Sequence, residues 1–140
     1  MRPFDTLIRL SEQTLDDKRR ALGILQEQLD RAEMHRRALD EELAAEQAVA
    51  RENPNGSMTI GAYAQHMITR REQADNAIAE ARRLVDAQRE EVRLAFAELK
   101  RYEITHDARK AKLATEEARK EQNALDEAAE ATRRRSGDRL

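Results

Sequence analysis

The sequence predicts an all-α fold, a long two-helix antiparallel coiled-coil hairpin whose C-terminal helix outruns its partner. Three observations carry this. First, 39% of the 140 residues are charged, 3% are aromatic and 24 are Ala, which suits long helices better than a thick core. Second, apolar residues recur at heptad spacing over two separate stretches, which a disordered chain has no reason to keep. Third, the two stretches meet at one break, "ARENPNGSMTIGA" at residues 50–62, which holds one of the two prolines and two of the four glycines.

Taken in chain order, helix one is expected over about 3–52. Its heptad places Ile8, Leu15, Leu22, Leu29, Arg36, Leu43 and Ala50 at position a. Phe4, Ser11, Lys18, Leu25, Ala32, Leu39 and Glu46 stand at d, so most seam residues are apolar. A turn follows at 53–58. Pro54 disfavours helix at the residue before it, Asn55-Gly56 tolerates positive φ, and Ser57 or Thr59 can cap the next helix. Helix two is expected over about 59–135, with a tail at 136–140. Its seam runs through Ile60, Ala64, Met67, Arg71, Ala74, Ile78, Ala81, Val85, Gln88, Val92, Ala95, Leu99 and Tyr102. The whole chain reads as one domain, 1–140.

A short connection makes the arms antiparallel. Position a then faces d, and facing residue numbers have a constant sum. A sum of 110 is centred on Asn55 inside the turn, so loop and heptads agree. This register sets large residues against small ones, Leu29 against Ala81 and Leu15 against Ala95. Polar intruders face apolar partners: Lys18 faces Val92 and Arg36 faces Ala74, with stems long enough to keep their charges wet.

Phe4 faces His106 in this register, and there arm one ends. Carried onward, the seam positions are Arg109, Leu113, Glu116, Lys120, Asn123 and Glu127, of which Leu113 alone is apolar. Helix formers continue without Gly or Pro to Arg135, about 40 Å further at 1.5 Å per residue. This overhang reads as charged all round. A helix kept without an internal apolar partner points to a partner on another molecule.

Enzyme chemistry has no foothold. There is no cysteine, and His35, His66 and His106 are too scattered for a metal site. No Gly-rich phosphate loop or nucleophile elbow occurs, and a two-helix rod has no concave pocket. A non-enzyme without cofactor or metal is expected. No apolar run is long enough to cross a bilayer. A net charge of −2 with both signs interspersed argues against nucleic acid, and the arginines of "RRRSGDRL" suit a helix C-terminus. Off the seam, Val49, Met58, Tyr63 and Ile68 gather near the turn as a candidate contact surface. Leu84 and Phe96 read instead as thickening the seam.

The N-terminal "RPFDTLIRLSEQTLDDKRRAL", the unequal hairpin and "RKEQNALDEAAEATRRR" in the C-terminal helix together resemble the FliJ family, small coiled-coil components of the bacterial flagellar type III export apparatus. The resemblance implies a cytoplasmic protein at the cytoplasmic face of the inner membrane, at the flagellar base, reaching the membrane only through its partners. It implies a stalk that enters the pore of the export ATPase hexamer and activates it. It further implies contact with the cytoplasmic domain of the export gate membrane protein and handling of export chaperones. On this resemblance Leu125, Asp126, Glu127, Arg133, Arg134 and Arg135 are candidate ATPase contacts, and Val49, Tyr63 and Ile68 candidate gate contacts. The related stalk of virulence-type III secretion has the same architecture. A structural or adaptor coiled coil outside secretion would use the hairpin as a spacer.

Overall fold

In the computed structural model, which describes residues 3–52 and 57–137, two helices account for every described residue. They are α1 (Pro3–Glu52) and α2 (Ser57–Gly137), packed on each other as a hairpin. At 1.5 Å per residue α1 is about 75 Å long and α2 about 120 Å, so the fold is a rod. Asn53, Pro54, Asn55 and Gly56, which carry the expected turn, lie outside the described residues, as does the tail beyond Gly137. α2 begins at Ser57, ahead of the expected start. The side chains of Ser57 and Thr59, the expected caps, lie outside the described residues.

The heptads map onto burial. On α1 every seam position except Glu46 is buried or half-buried, and on α2 the same holds from Ala64 to Tyr102. Two clusters form the densest packing. Leu15, Ala95 and Leu99 gather Ile8 and Val92 around them. Nearer the turn, Leu39, Met67 and Ala74 gather Leu43 and Tyr63. Among the described residues those that are buried are all apolar, and the largest fully enclosed are Leu39, Met67 and Val85. The core is thus one side chain thick, as a two-helix seam requires.

Polar seam residues keep their charges at the rim. Lys18 Nζ lies 2.7 Å from Glu91, and Arg36 pairs with Asp40 and Asp75. Both carboxylates, by hydrogen bonds first, push the Arg36 guanidinium above its ordinary value. Gln88 donates to the Lys18 carbonyl at 3.1 Å. At the far end Phe4 stacks on His106, ring centroids 5.9 Å apart and planes 16° apart, which fixes the register sum at 110.

Candidate interaction surfaces

Three places on the rod stand out beside the paired seam. At the base, α1 ends in a clasp. The Phe4 ring stacks on His106 and has the Arg109 guanidinium 4.5 Å from its centroid. His106 Nε2 stands 3.3 Å from the Asp5 carboxylate. A stacked ring with a cation over it is worth roughly 0.5–1 kcal/mol at such a site. The heptad count places Phe4 against His106, but the contacts of Asp5 and Arg109 come from side-chain reach, which the seam count ignores.

Beyond the clasp, every described residue from Asp107 to Gly137 is exposed. The helix persists through its own hydrogen bonds and short-range pairs such as Gln122 with Asp126 and Arg134 with Glu130. It is not charged all round. Ile104, Ala108, Ala111, Thr115, Ala118, Gln122, Leu125 and Ala129 follow one another at alternating spacings of four and three. That spacing forms one uncharged stripe on a helix. The stripe runs on the side of α2 away from the seam, so carrying the seam's heptad frame past Tyr102 hides it. Leu125, 65% exposed, belongs to the stripe. Asp126 and Glu127 lie beside it, and Arg133, Arg134 and Arg135 follow at its end.

At the turn end, the three candidate residues do not form one patch. Val49 and Tyr63 occupy position g of their helices, on the flank where Glu42 accepts from Tyr63 Oη at 3.4 Å and from Arg70 at 3.1 Å. Ile68 occupies position e, on the opposite flank, where Arg71 meets Asp40. Val49 and Ile68 are exposed at 56% and 47%. Tyr63 is half-buried against the Leu39 cluster, and that burial, with the charges of Glu42 and Glu46, raises its hydroxyl above its ordinary value. The Met58 side chain lies outside the described residues. Leu84 does thicken the seam, whereas Phe96 stays 43% exposed with Lys100 over its ring. The roles expected of Tyr63 and Phe96 are therefore exchanged.

Among the described residues no group of His, Cys, Asp and Glu is placed to hold a metal ion. No helix among them is long and apolar enough to cross a membrane. What the rod offers chemically is surface: helix faces for other helices and paired charges for orientation.

Compared with known proteins, the chain matches the family model described as the flagellar FliJ protein over residues 1–138. No curated protein and no solved structure matches it.

Proposed function

This chain belongs to the flagellar FliJ family, and with it to the flagellar protein export apparatus; from that membership we propose that it is the non-enzymatic stalk of the export ATPase. In this reading α2 enters the hexamer's pore and promotes its activity. The turn end of the hairpin meets the cytoplasmic domain of the export gate, so the rod links the two at the cytoplasmic face of the inner membrane. Handling of empty export chaperones belongs to the same role.

The observation that carries the proposal is the overhang. From Lys110 to Gly137 α2 continues as helix with every side chain exposed, past Arg109, whose guanidinium lies over the Phe4 ring of α1. A formed helix with one uncharged stripe and charged sides has the character of a shaft, able to sit in a lined channel without a fixed partner residue at each turn. Leu125 supplies the stripe's largest side chain in the distal half, and Arg133, Arg134 and Arg135 supply charge for orientation.

Deleting residues 116–140 tests it. No layer of the paired seam is lost, so the hairpin keeps its thermal transition to within a few degrees, as surface changes within about 0.5 kcal/mol allow. ATP hydrolysis by the cognate export ATPase then loses its stimulation. Reversing the charge of Arg133, Arg134 and Arg135 acts in the same direction and depends on salt, since exposed charges are screened over about 10 Å at 0.1 M. Full stimulation by the truncated chain would remove the overhang from the mechanism.

A further inference from the structure

The seam repeats every seven residues on both helices, so a slide of one heptad again sets every a against a d. Moving α2 toward the turn by one heptad raises the facing sum from 110 to 117. The two registers differ only in how well their layers match and in what the ends give up.

The shifted layers match at least as well as the observed ones. Counting Phe4 on His106, seven of the fourteen observed layers set a polar residue against an apolar one, Leu22 with Gln88 and Leu39 with Arg71 among them. In the shifted register four do: Ile8 with Arg109, Lys18 with Leu99, Leu29 with Gln88 and Arg36 with Ala81. Leu22 then meets Ala95, Leu39 meets Ile78, and Glu46 meets Arg71 of opposite charge. Leu113 separates the two registers most clearly. It is the one apolar seam position of the overhang and stands 58% exposed past the end of α1. A sum of 117 sets it against Phe4.

Rim charges and the two ends make the observed register the ground state. Lys18 lies 2.7 Å from Glu91, Glu33 3.5 Å from Arg82, and Arg36 2.7 Å from Asp75. Seven residues further along α2, Lys18 finds Glu98 and Glu33 finds Arg89, but Arg36 finds Arg82, and Asp75 comes level with Glu42. The slide also takes Phe4 off His106 and Tyr63 off the Leu39 cluster. Slack is available in one direction. A slide toward the turn unwinds the start of α2, residues 57–64, where Thr59 and Gly61 are weak helix formers. A slide the other way unwinds the end of α1, residues 46–52, which hold no Gly or Pro and are mostly Glu, Gln, Ala and Arg. It also leaves Leu113 without a partner.

We propose that the hairpin is a two-register device, with a minor state in which α2 has slid one heptad toward the turn and Leu113 packs on Phe4. The slide draws the overhang back by about 10 Å and lengthens the loop at the turn. Packed elements with two discrete arrangements ratchet past one another in such steps. A partner that grips the overhang and one that grips the turn end bias the same equilibrium, so each changes the affinity of the other. The device belongs to the hairpin alone and does not rest on the stalk reading.

Pulsed dipolar spectroscopy on the isolated, spin-labelled full chain reads the register. The chain has no cysteine, so Met34→Cys and Ala97→Cys, both exposed at outward f positions, carry the labels. Their axial separation is about 30 Å in the observed register and about 20 Å in the shifted one. Asp75→Ala removes the Arg36 pair from the first and the approach to Glu42 from the second. In that variant a component about 10 Å short of the main distance is expected, larger than in the parent. Adding Leu113→Glu, which puts a carboxylate on Phe4 in the shifted register alone, should cut the component at least about tenfold. Adding Gly61→Ala, whose Cβ meets nothing within 4 Å, should cut it up to about fivefold by strengthening the turns that must unwind. Helical circular dichroism should be retained in all of them. A single distance near 30 Å in Asp75→Ala overturns the proposal. So does a short component no larger than the parent's, or one that Leu113→Glu or Gly61→Ala leaves unchanged.

Discussion

Leu99 and Leu113 are the same residue type, on the same helix, two heptads apart and both at position a. They differ in whether α1 reaches them. Leu99 is 6% exposed in the cluster with Leu15 and Ala95, while Leu113 is 58% exposed past the end of α1. Leu99→Ala removes three buried carbons and leaves a void that a one-layer seam closes only in part. Leucine-to-alanine changes in cores cost about 2–5 kcal/mol, and the open sides of a two-helix seam place this one near the lower end, about 2–3. Leu113→Ala removes atoms already in water and should stay within about 0.5 kcal/mol. Urea unfolding followed by far-ultraviolet circular dichroism measures both, with the m-value checked for constancy. A cost above about 1 kcal/mol at Leu113 would mean that the overhang folds back onto the hairpin. A cost below about 0.5 kcal/mol at Leu99 would mean that the seam is misplaced.

Three further outcomes follow from the same coordinates. A Cβ added at Gly23 meets nothing within 4 Å, so Gly23→Ala should raise stability by up to about 1 kcal/mol through lost unfolded-state freedom, and a loss in urea would contradict the open space. Cysteines replacing Leu29 and Ala81 should form an intramolecular disulfide under mild oxidation, whereas the pair at Leu22 and Ala81, one heptad out of register, should not; mass spectrometry distinguishes them. Hydrogen bonds from Arg83 and Arg93 hold Glu80 and Glu90 below the ordinary 4.5. Because the folded values are lowered, their contribution is present above pH 4.5 and lost as pH falls through those values, so Glu80→Gln with Glu90→Gln should flatten the acid side of the melting profile.

The seam was legible because its period is fixed by geometry and its residues bury nothing polar. Leu15, Leu39, Met67, Val85 and Leu99 stand where the heptads put them, and Phe4 meets His106. What the sequence reading missed lies beside or beyond the seam. Tyr63 and Phe96 sit at flanking positions that composition alone does not rank. Tyr63 finds an apolar cluster and Glu42 for its hydroxyl. Phe96 stands on the flank of Ile68 and is left with a lysine over its ring. Val49 and Ile68, close in sequence terms to one turn, fall on opposite flanks because g and e lie on either side of the seam. The uncharged stripe of the overhang has a helical period too, but its phase differs from that of the seam. A heptad frame is enforced only where a partner helix enforces it, and past the clasp at His106 and Arg109 none does.

That loss of frame explains how an unsupported helix of this length is kept. An isolated helix must nucleate, which is unfavourable, and then gains little for each residue added. The overhang never nucleates, because the paired part of α2 hands it a formed turn at His106. Each further residue needs only neutral propagation, which Ala, Glu, Lys, Arg and Gln supply. Pairs such as Arg134 with Glu130 add a few tenths of a kcal/mol each. The overhang is therefore helical by continuation, not by packing, and its stability falls toward Gly137. For binding, this has a direct consequence. A partner that closes around the overhang meets a rod already ordered at its base, and so loses less to conformational entropy than it would in folding a free segment. The hairpin's part in such an encounter is to supply that first turn and to hold its direction. Weakening the clasp at Phe4, His106 and Arg109 should then loosen the overhang's partner contacts without removing a residue that touches them.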